Sequence, residues 1–245
     1  VLESAAQLTK EGFEVSVLPV DTRGVVDVNE CLKLVTDKTV LVSVMYANNE
    51  IGTIEPIKEL SAVLQKRRAG GMFPLLHTDA CQAAGFLPLN VAELGVDLMT
   101  LNGSKIYGPR GVGVLYRKKG VPLLPLIVGG EQESHLRAGT ESVPLIVGFA
   151  AALKKAERLR SAESSRLTAL RDFFIDRLLK KIPNAMLNGH PTERLPNNIH
   201  ISVPYIEGES ILLMLDRHRV EASTGSACSA YDLQPSHVLL ALGQI

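Results

Sequence analysis

Two segments of the chain hold residues whose types and order suit covalent catalysis. One is His77-Thr78-Asp79-Ala80-Cys81-Gln82; the other carries Lys105 inside Asn102-Gly103-Ser104-Lys105-Ile106-Tyr107-Gly108-Pro109-Arg110-Gly111. An amine held in a partly dry crevice loses some of its preference for the ammonium form and can attack a carbonyl. An aspartate at the far end of a pyridine ring keeps the ring nitrogen protonated, so that the ring draws electrons from the reacting carbon. Asp79 with Lys105 is thus the pair that pyridoxal 5'-phosphate (PLP) requires. Asn102 and Ser104 could donate hydrogen bonds to a cofactor phosphate, with Gly103 allowing close backbone approach. Taken singly, each residue has an ordinary reading: a strand-end aspartate often caps a helix, and a lysine in a Gly/Pro-rich loop is usually solvated. The joint pattern carries the chemistry.

A third segment, Ser223-Thr224-Gly225-Ser226-Ala227-Cys228-Ser229-Ala230, sets a cysteine among small residues with little apolar company. It reads as a mobile loop with an available thiol. A loop tip gives the thiol reach but leaves its activation unexplained. Cys81 reads as a packed neutral thiol, and Cys31, which begins an amphipathic helix, suggests nothing catalytic. His77 reads as a support for Asp79, and the other histidines show no ligand spacing, so no metal site is expected.

These residues need elements to position them. Short β-branched runs alternate with amphipathic stretches over the first two-thirds of the chain, the pattern of strands joined by crossover helices in a mainly parallel sheet. Strands are predicted at Glu14–Leu18, Val40–Tyr46, Leu75–Thr78, Leu98–Leu101 and Val112–Arg117, and helices at Asn29–Val35 and Ile57–Arg68. Asp79 and Lys105 then follow strand ends, where open α/β sheets bind ligands. From Val143 to Lys181 apolar residues recur at helical spacing, read as two helices or one bent helix broken near Ser161–Ser165. Beyond it come a strand at Asn198–Val203, a helix at Ser210–His218, a strand at Val220–Ala222 and a helix from Ser236. The fold class is α/β with a smaller α+β C-terminal domain, divided as residues 1–158 and 159–245.

Composition narrows the partners. The 245 residues are 46% hydrophobic and 21% charged, which excludes a disordered chain. Lys+Arg and Asp+Glu are 26 each, leaving no general field for nucleic acid or an acidic membrane. No run approaches the ~20 apolar residues of a membrane span, and no signal pattern opens the chain. Three cysteines without a CxxC pair fit a reducing cytosol, so a cytoplasmic location is expected.

The segment His77-Thr78-Asp79-Ala80-Cys81-Gln82, with Val96 to Gly113, resembles the fold-type-I PLP enzymes of aminotransferase class V, and among them the cysteine desulfurases. Met45-Tyr46-Ala47-Asn48-Asn49-Glu50-Ile51-Gly52 is similar to the family's Asn-Asn-Glu segment, which implies that Asn49 lies beside the cofactor and the substrate carboxylate. By the same resemblance Gln82 bonds the cofactor's phenolic oxygen. Arg137-Ala138-Gly139-Thr140 is similar to an Arg-Ser-Gly-Thr segment whose threonine reaches the neighbouring subunit's phosphate, implying a homodimer. Ser223 to Leu239 resembles the longer form of the desulfurase loop, whose cysteine, here Cys228, takes sulfur from L-cysteine and passes it to an acceptor, an Fe–S scaffold or a tRNA-thiolation relay. Three positions depart from the family: Ser104 stands where a histidine usually precedes the lysine, Asn102 replaces a serine, and Glu131 replaces a third glycine in a stretch that also lacks an arginine after Glu133. The resemblance also implies that the chain is the interior of a longer enzyme, with a phosphate-wrapping turn and a ring-stacking histidine upstream and a carboxylate-binding arginine downstream. The competing readings are a selenocysteine lyase, a class V aminotransferase, and a silent fragment that only dimerises or docks.

Overall fold

A computed structural model of the chain describes residues 2–68, 70–225 and 236–243. Helix α1 (Leu2–Lys10) leads into an extended stretch and α2 (Val28–Leu34), whose first turn is capped by the Asp27 carboxylate accepting from the Asn29 and Glu30 N–H groups. Then come β1 (Leu41–Met45), α3 (Ile57–Arg67), β2 (Leu75–Asp79), α4 (Val91–Leu94) and β3 (Leu98–Asn102). A 3-10 turn, Gly103–Ile106, precedes β4 (Gly113–Arg117). The sheet order is β1-β2-β3-β4, with the first two pairings parallel and β3–β4 antiparallel.

Side chains alternate across this sheet with period two. Val42, Val44, Leu76, Met99 and Leu101 point to the apolar side and are buried with Ile57, Leu60 and Leu64 of α3. Those α3 positions recur at three and four residues, so one stripe of the helix enters the core. The opposite side of the sheet carries Ser43, His77, Asp79, Thr100 and Asn102. Beneath β2 the buried Asp97 accepts from Leu76 N–H and from both terminal nitrogens of Arg68.

Beyond the sheet, the short α5 (Gln132–His135) contains Glu133, Ser134 and His135 at positive φ, a left-handed turn unusual for side-chain-bearing residues. Helix α6 (Val143–Lys181) follows, then β5 (Met186–Leu187) paired antiparallel with β6 (Ile201–Ser202), α7 (Gly208–Arg217) and α8 (His237–Ala241). No helix among the described residues is long and apolar enough to cross a membrane.

Three expectations are corrected. Glu14–Leu18 is extended but is not a strand: Val15 and Val17 are exposed, and the nearest β-bridge joins Val20 to Val26. The break near Ser161–Ser165 does not occur, and α6 runs 39 residues through it. Its serines are absorbed without unwinding, Ser165 Oγ donating to Ser161 O and Ser164 Oγ to Phe86 O. Val220–Ala222 is irregular rather than a strand; Val220 N–H bonds back to Leu215 O and closes the end of α7.

Candidate active site

Because β1, β2 and β3 are parallel, their carboxyl ends share one edge of the sheet, and each ends in a segment of interest. Asp79 closes β2, aligned with Met45 on one side and Thr100 on the other. Its Oδ1 accepts from Cys81 N–H at 2.9 Å, an Asx turn that opens the loop bearing Gln82. Gln82 is half-buried there.

At the end of β3, Asn102 caps the 3-10 turn. Its Oδ1 accepts from Ser104 N–H at 2.9 Å and from Ser104 Oγ at 2.8 Å, and Tyr107 in the left-handed region ends the turn. Lys105 stands exposed on this turn. The Cys81 thiol feels both Asp79 and Lys105. Burial first, then the Asp79 carboxylate, push it up to about 12, with Lys105 opposing. Cys81 is therefore a neutral thiol at neutral pH. Acid and amine are brought to one edge, as their places after neighbouring strands require.

Two details differ from the sequence reading. The Ser104 hydroxyl donates inward to Asn102 and must turn from it to meet a phosphate. Gly103 is also closely packed: a Cβ there would lie 2.8 Å from Pro109 O and 2.9 Å from Val112 Cγ1. His77 also differs in its partners. Its Nδ1 meets Ser43 Oγ and its Nε2 meets Thr100 Oγ1, each at 2.8 Å, which stitches β1, β2 and β3 and leaves neither nitrogen for Asp79. Burial lowers its pKa against the pull of Asp79, so the imidazole is neutral.

A cleft of about 680 Å3 opens beside the lysine turn, lined by Asn102, Ser104, Lys105, Arg110 and Gly111 to Gly113. Arg110 escaped the sequence reading although it shares the Gly/Pro-rich loop with Lys105. Thr140 lies exposed ahead of α6 and is not part of this lining. Cys228 lies outside the described residues.

After β1 the two asparagines divide their work. Asn48 Oδ1 accepts from the N–H groups of Glu50 and Ile51, which builds the turn, and Asn49 is exposed beyond it. Gly52 in the same turn has φ +74°, and a Cβ there would meet the Asn198 side chain at 2.6 Å, so glycine is required. A buried arginine missed in the sequence fastens this turn to the C-terminal lobe: Arg194 Nη2 donates to Ile51 O (2.8 Å), Asn188 O and Asn198 Oδ1 (both 3.1 Å). Burial, then the charge of Arg171, pull its pKa down to about 10, still cationic at neutral pH.

The donor set fits PLP: an exposed amine for the aldehyde, an acid for the ring nitrogen, and Asn102, Ser104 and Arg110 for an anionic group, all near one sheet edge. A mainly parallel sheet with this edge defines the fold-type-I PLP class. The chain matches the aminotransferase class-V family over residues 1–245 and belongs to it. Among curated proteins it is 51% identical to "Cysteine desulfurase IscS" of Dictyoglomus turgidum, over 99% of this chain and 60% of that protein. Among solved structures it is similar to a "NifS-like protein", with TM-score 0.90 and 38% identity over 100% of this chain and 63% of that one. Another, "SspA in complex with cysteine", has TM-score 0.81 and 30% identity over 99% of this chain and 66% of that one. The chain thus spans about 60% of the length of the curated relative.

Proposed function

We propose that the whole protein is a PLP-dependent cysteine desulfurase that converts L-cysteine to L-alanine and leaves a persulfide on Cys228. The observation that carries the reading is that Asp79 and Lys105 follow the carboxyl ends of the neighbouring parallel strands β2 and β3, at one sheet edge. When bound, PLP supplies an electron sink that acidifies the substrate Cα–H. Lys105 would hold the cofactor aldehyde and, when free of it, would move the proton at the substrate Cα. Asp79 holds the ring-nitrogen proton, and Gln82 and Asn49 orient the ring and the substrate carboxylate. Asn102 and Ser104 bind the phosphate, Ser104 after turning its hydroxyl away from Asn102. Cys228 attacks the substrate sulfur as a thiolate. An S–S bond forms and the C–S bond breaks; its electron pair stays with the carbon skeleton, which takes up a proton and leaves as alanine.

The sulfur then passes to an acceptor protein, an Fe–S scaffold or a tRNA-thiolation relay, in the cytoplasm. The enzyme works as a homodimer in which Thr140 reaches the partner's phosphate. Support for that surface comes from Leu124, Leu126 and Val128, which are 90%, 97% and 77% exposed in one short segment. Ala138 N–H bonds Ile127 O, so this apolar segment lies against the strand of chain leading to Thr140. The division at residue 158 places the cofactor residues in the larger domain and Cys228 in the smaller.

The test loads the full-length protein with PLP and supplies L-cysteine. Cys228→Ala is expected to keep the visible cofactor band and lose alanine formation, and Lys105→Ala to lose the band. Unchanged turnover in Cys228→Ala would sink the desulfurase reading in favour of an aminotransferase.

A further inference from the structure

Glu50 is 4% exposed and lies beside Asn49 in the turn after β1. Its Oε2 accepts from Ser236 Oγ at 2.5 Å. A Cβ placed on Gly225 would sit 3.6 Å from the same oxygen and 3.9 Å from Ser236 Cβ. Gly225 and Ser236 flank the segment 226–235 that contains Cys228. Two points of the chain on either side of the cysteine thus lie near one buried carboxylate, which bonds the second of them.

The backbone of Glu50 is fixed on both sides of its side chain. Glu50 N–H donates to Asn48 Oδ1 at 2.8 Å, and Glu50 O accepts from Asn198 Nδ2 at 2.7 Å. Asn198 is in turn bonded by Arg194, which also holds Ile51 O. Ser236 has a second task as the cap of α8, accepting from Val238 N–H at 3.1 Å. A hydroxyl can do both at once, donating to Glu50 while accepting from the helix.

The geometry points to Glu50 as a positioning residue: it holds Ser236, with Gly225 close by, and so sets where the Cys228 segment rejoins the fold relative to the Asn49 turn. A buried carboxylate that loses its donor is costly, so the clamp is strong where it is satisfied. The inference rests on the desulfurase reading for the role of Cys228, while the clamp itself is a matter of geometry.

The discriminating variants are at Ser236, because two of them keep the helix cap and differ only toward Glu50. Ser236→Asp caps α8 but sets a second carboxylate against Glu50; Ser236→Asn caps it and restores an N–H donor. In the full-length, PLP-loaded protein, Ser236→Asp is expected to raise chymotrypsin cleavage at Tyr231 about tenfold by freeing the end of the segment at Ser236. It is also expected to lower kcat for alanine formation about tenfold, with KM and the visible cofactor band unchanged. Ser236→Asn is expected to recover both to within about threefold of wild type. Cleavage at the wild-type rate in Ser236→Asp, or an equal defect in Ser236→Asn, overturns the clamp. Failure of the wild-type protein to form alanine overturns the desulfurase reading alone, since the cleavage comparison stands without substrate.

Discussion

Asn102 takes both the N–H and the hydroxyl of Ser104 on a single oxygen, at 2.9 and 2.8 Å, one residue before Lys105. The cap, more than the serine, therefore orders the lysine turn. Asn102→Ala should cost about 1 kcal/mol of local order, or roughly fivefold in PLP affinity. Ser104→Ala should cost about tenfold, because it removes the hydroxyl that turns from Asn102 to the phosphate. Titration of each variant with PLP, followed by the visible band, checks both. A loss under about twofold in Ser104→Ala would instead keep the hydroxyl inside the turn.

Gly103 gives a second test of how the lysine turn is held. Its missing side chain leaves room for Pro109 O and Val112, at 2.8 and 2.9 Å from where a Cβ would lie. Gly103→Ala should destabilise the fold by about 1–3 kcal/mol through overpacking. Urea unfolding without cofactor reads this directly. Loss of PLP binding at unchanged stability would assign the glycine to phosphate approach.

Much of this was legible in the sequence where local pattern and tertiary context agree. The parallel strands carrying Ser43, His77 and Thr100, and the acid and lysine after neighbouring strand ends, follow from alternation and spacing. Glu14–Leu18 misled because β-branched residues mark a strand only when a partner pairs with it. The serines near position 161 misled because their hydroxyls found carbonyls within and beside the helix. Gly103 has the same sequence whether it faces a ligand or Pro109. Arg194 and Glu50 were invisible for another reason: their partners, Ile51 and Ser236, are far away in the chain, and no local spacing announces such contacts.

Arg68 and Asp97 should be coupled in stability. Asp97 is 2% exposed and bonded by Arg68 and Leu76 N–H, with Lys118 at 3.8 Å. Removing one partner of a buried pair leaves an uncompensated charge, so Asp97→Ala should cost about 3–5 kcal/mol. The double variant with Arg68→Ala should cost less than the sum of the two single changes. Additive losses in urea unfolding would show that the pair does not interact.

Glu55 makes stability depend on pH near neutrality. It is 5% exposed and accepts from Val26 N–H at 3.0 Å. Burial raises its pKa from the usual 4.5 to about 7, with the Val26 bond opposing and Asp21 adding slightly. The folded state therefore favours the protonated acid. Its stabilising contribution is complete below pH 4.5, declines as the pH rises, and is gone once the pH passes about 7. The half-buried histidines His77 and His200 have lowered pKa values and act in the opposite sense, so a comparison with Glu55→Gln isolates this residue. Glutamine can still accept from Val26 and never ionises. Glu55→Gln should match wild type near pH 4.5 and exceed it by roughly 3 kcal/mol at pH 8 in urea unfolding. A difference that stays constant between those pH values would place the titration elsewhere.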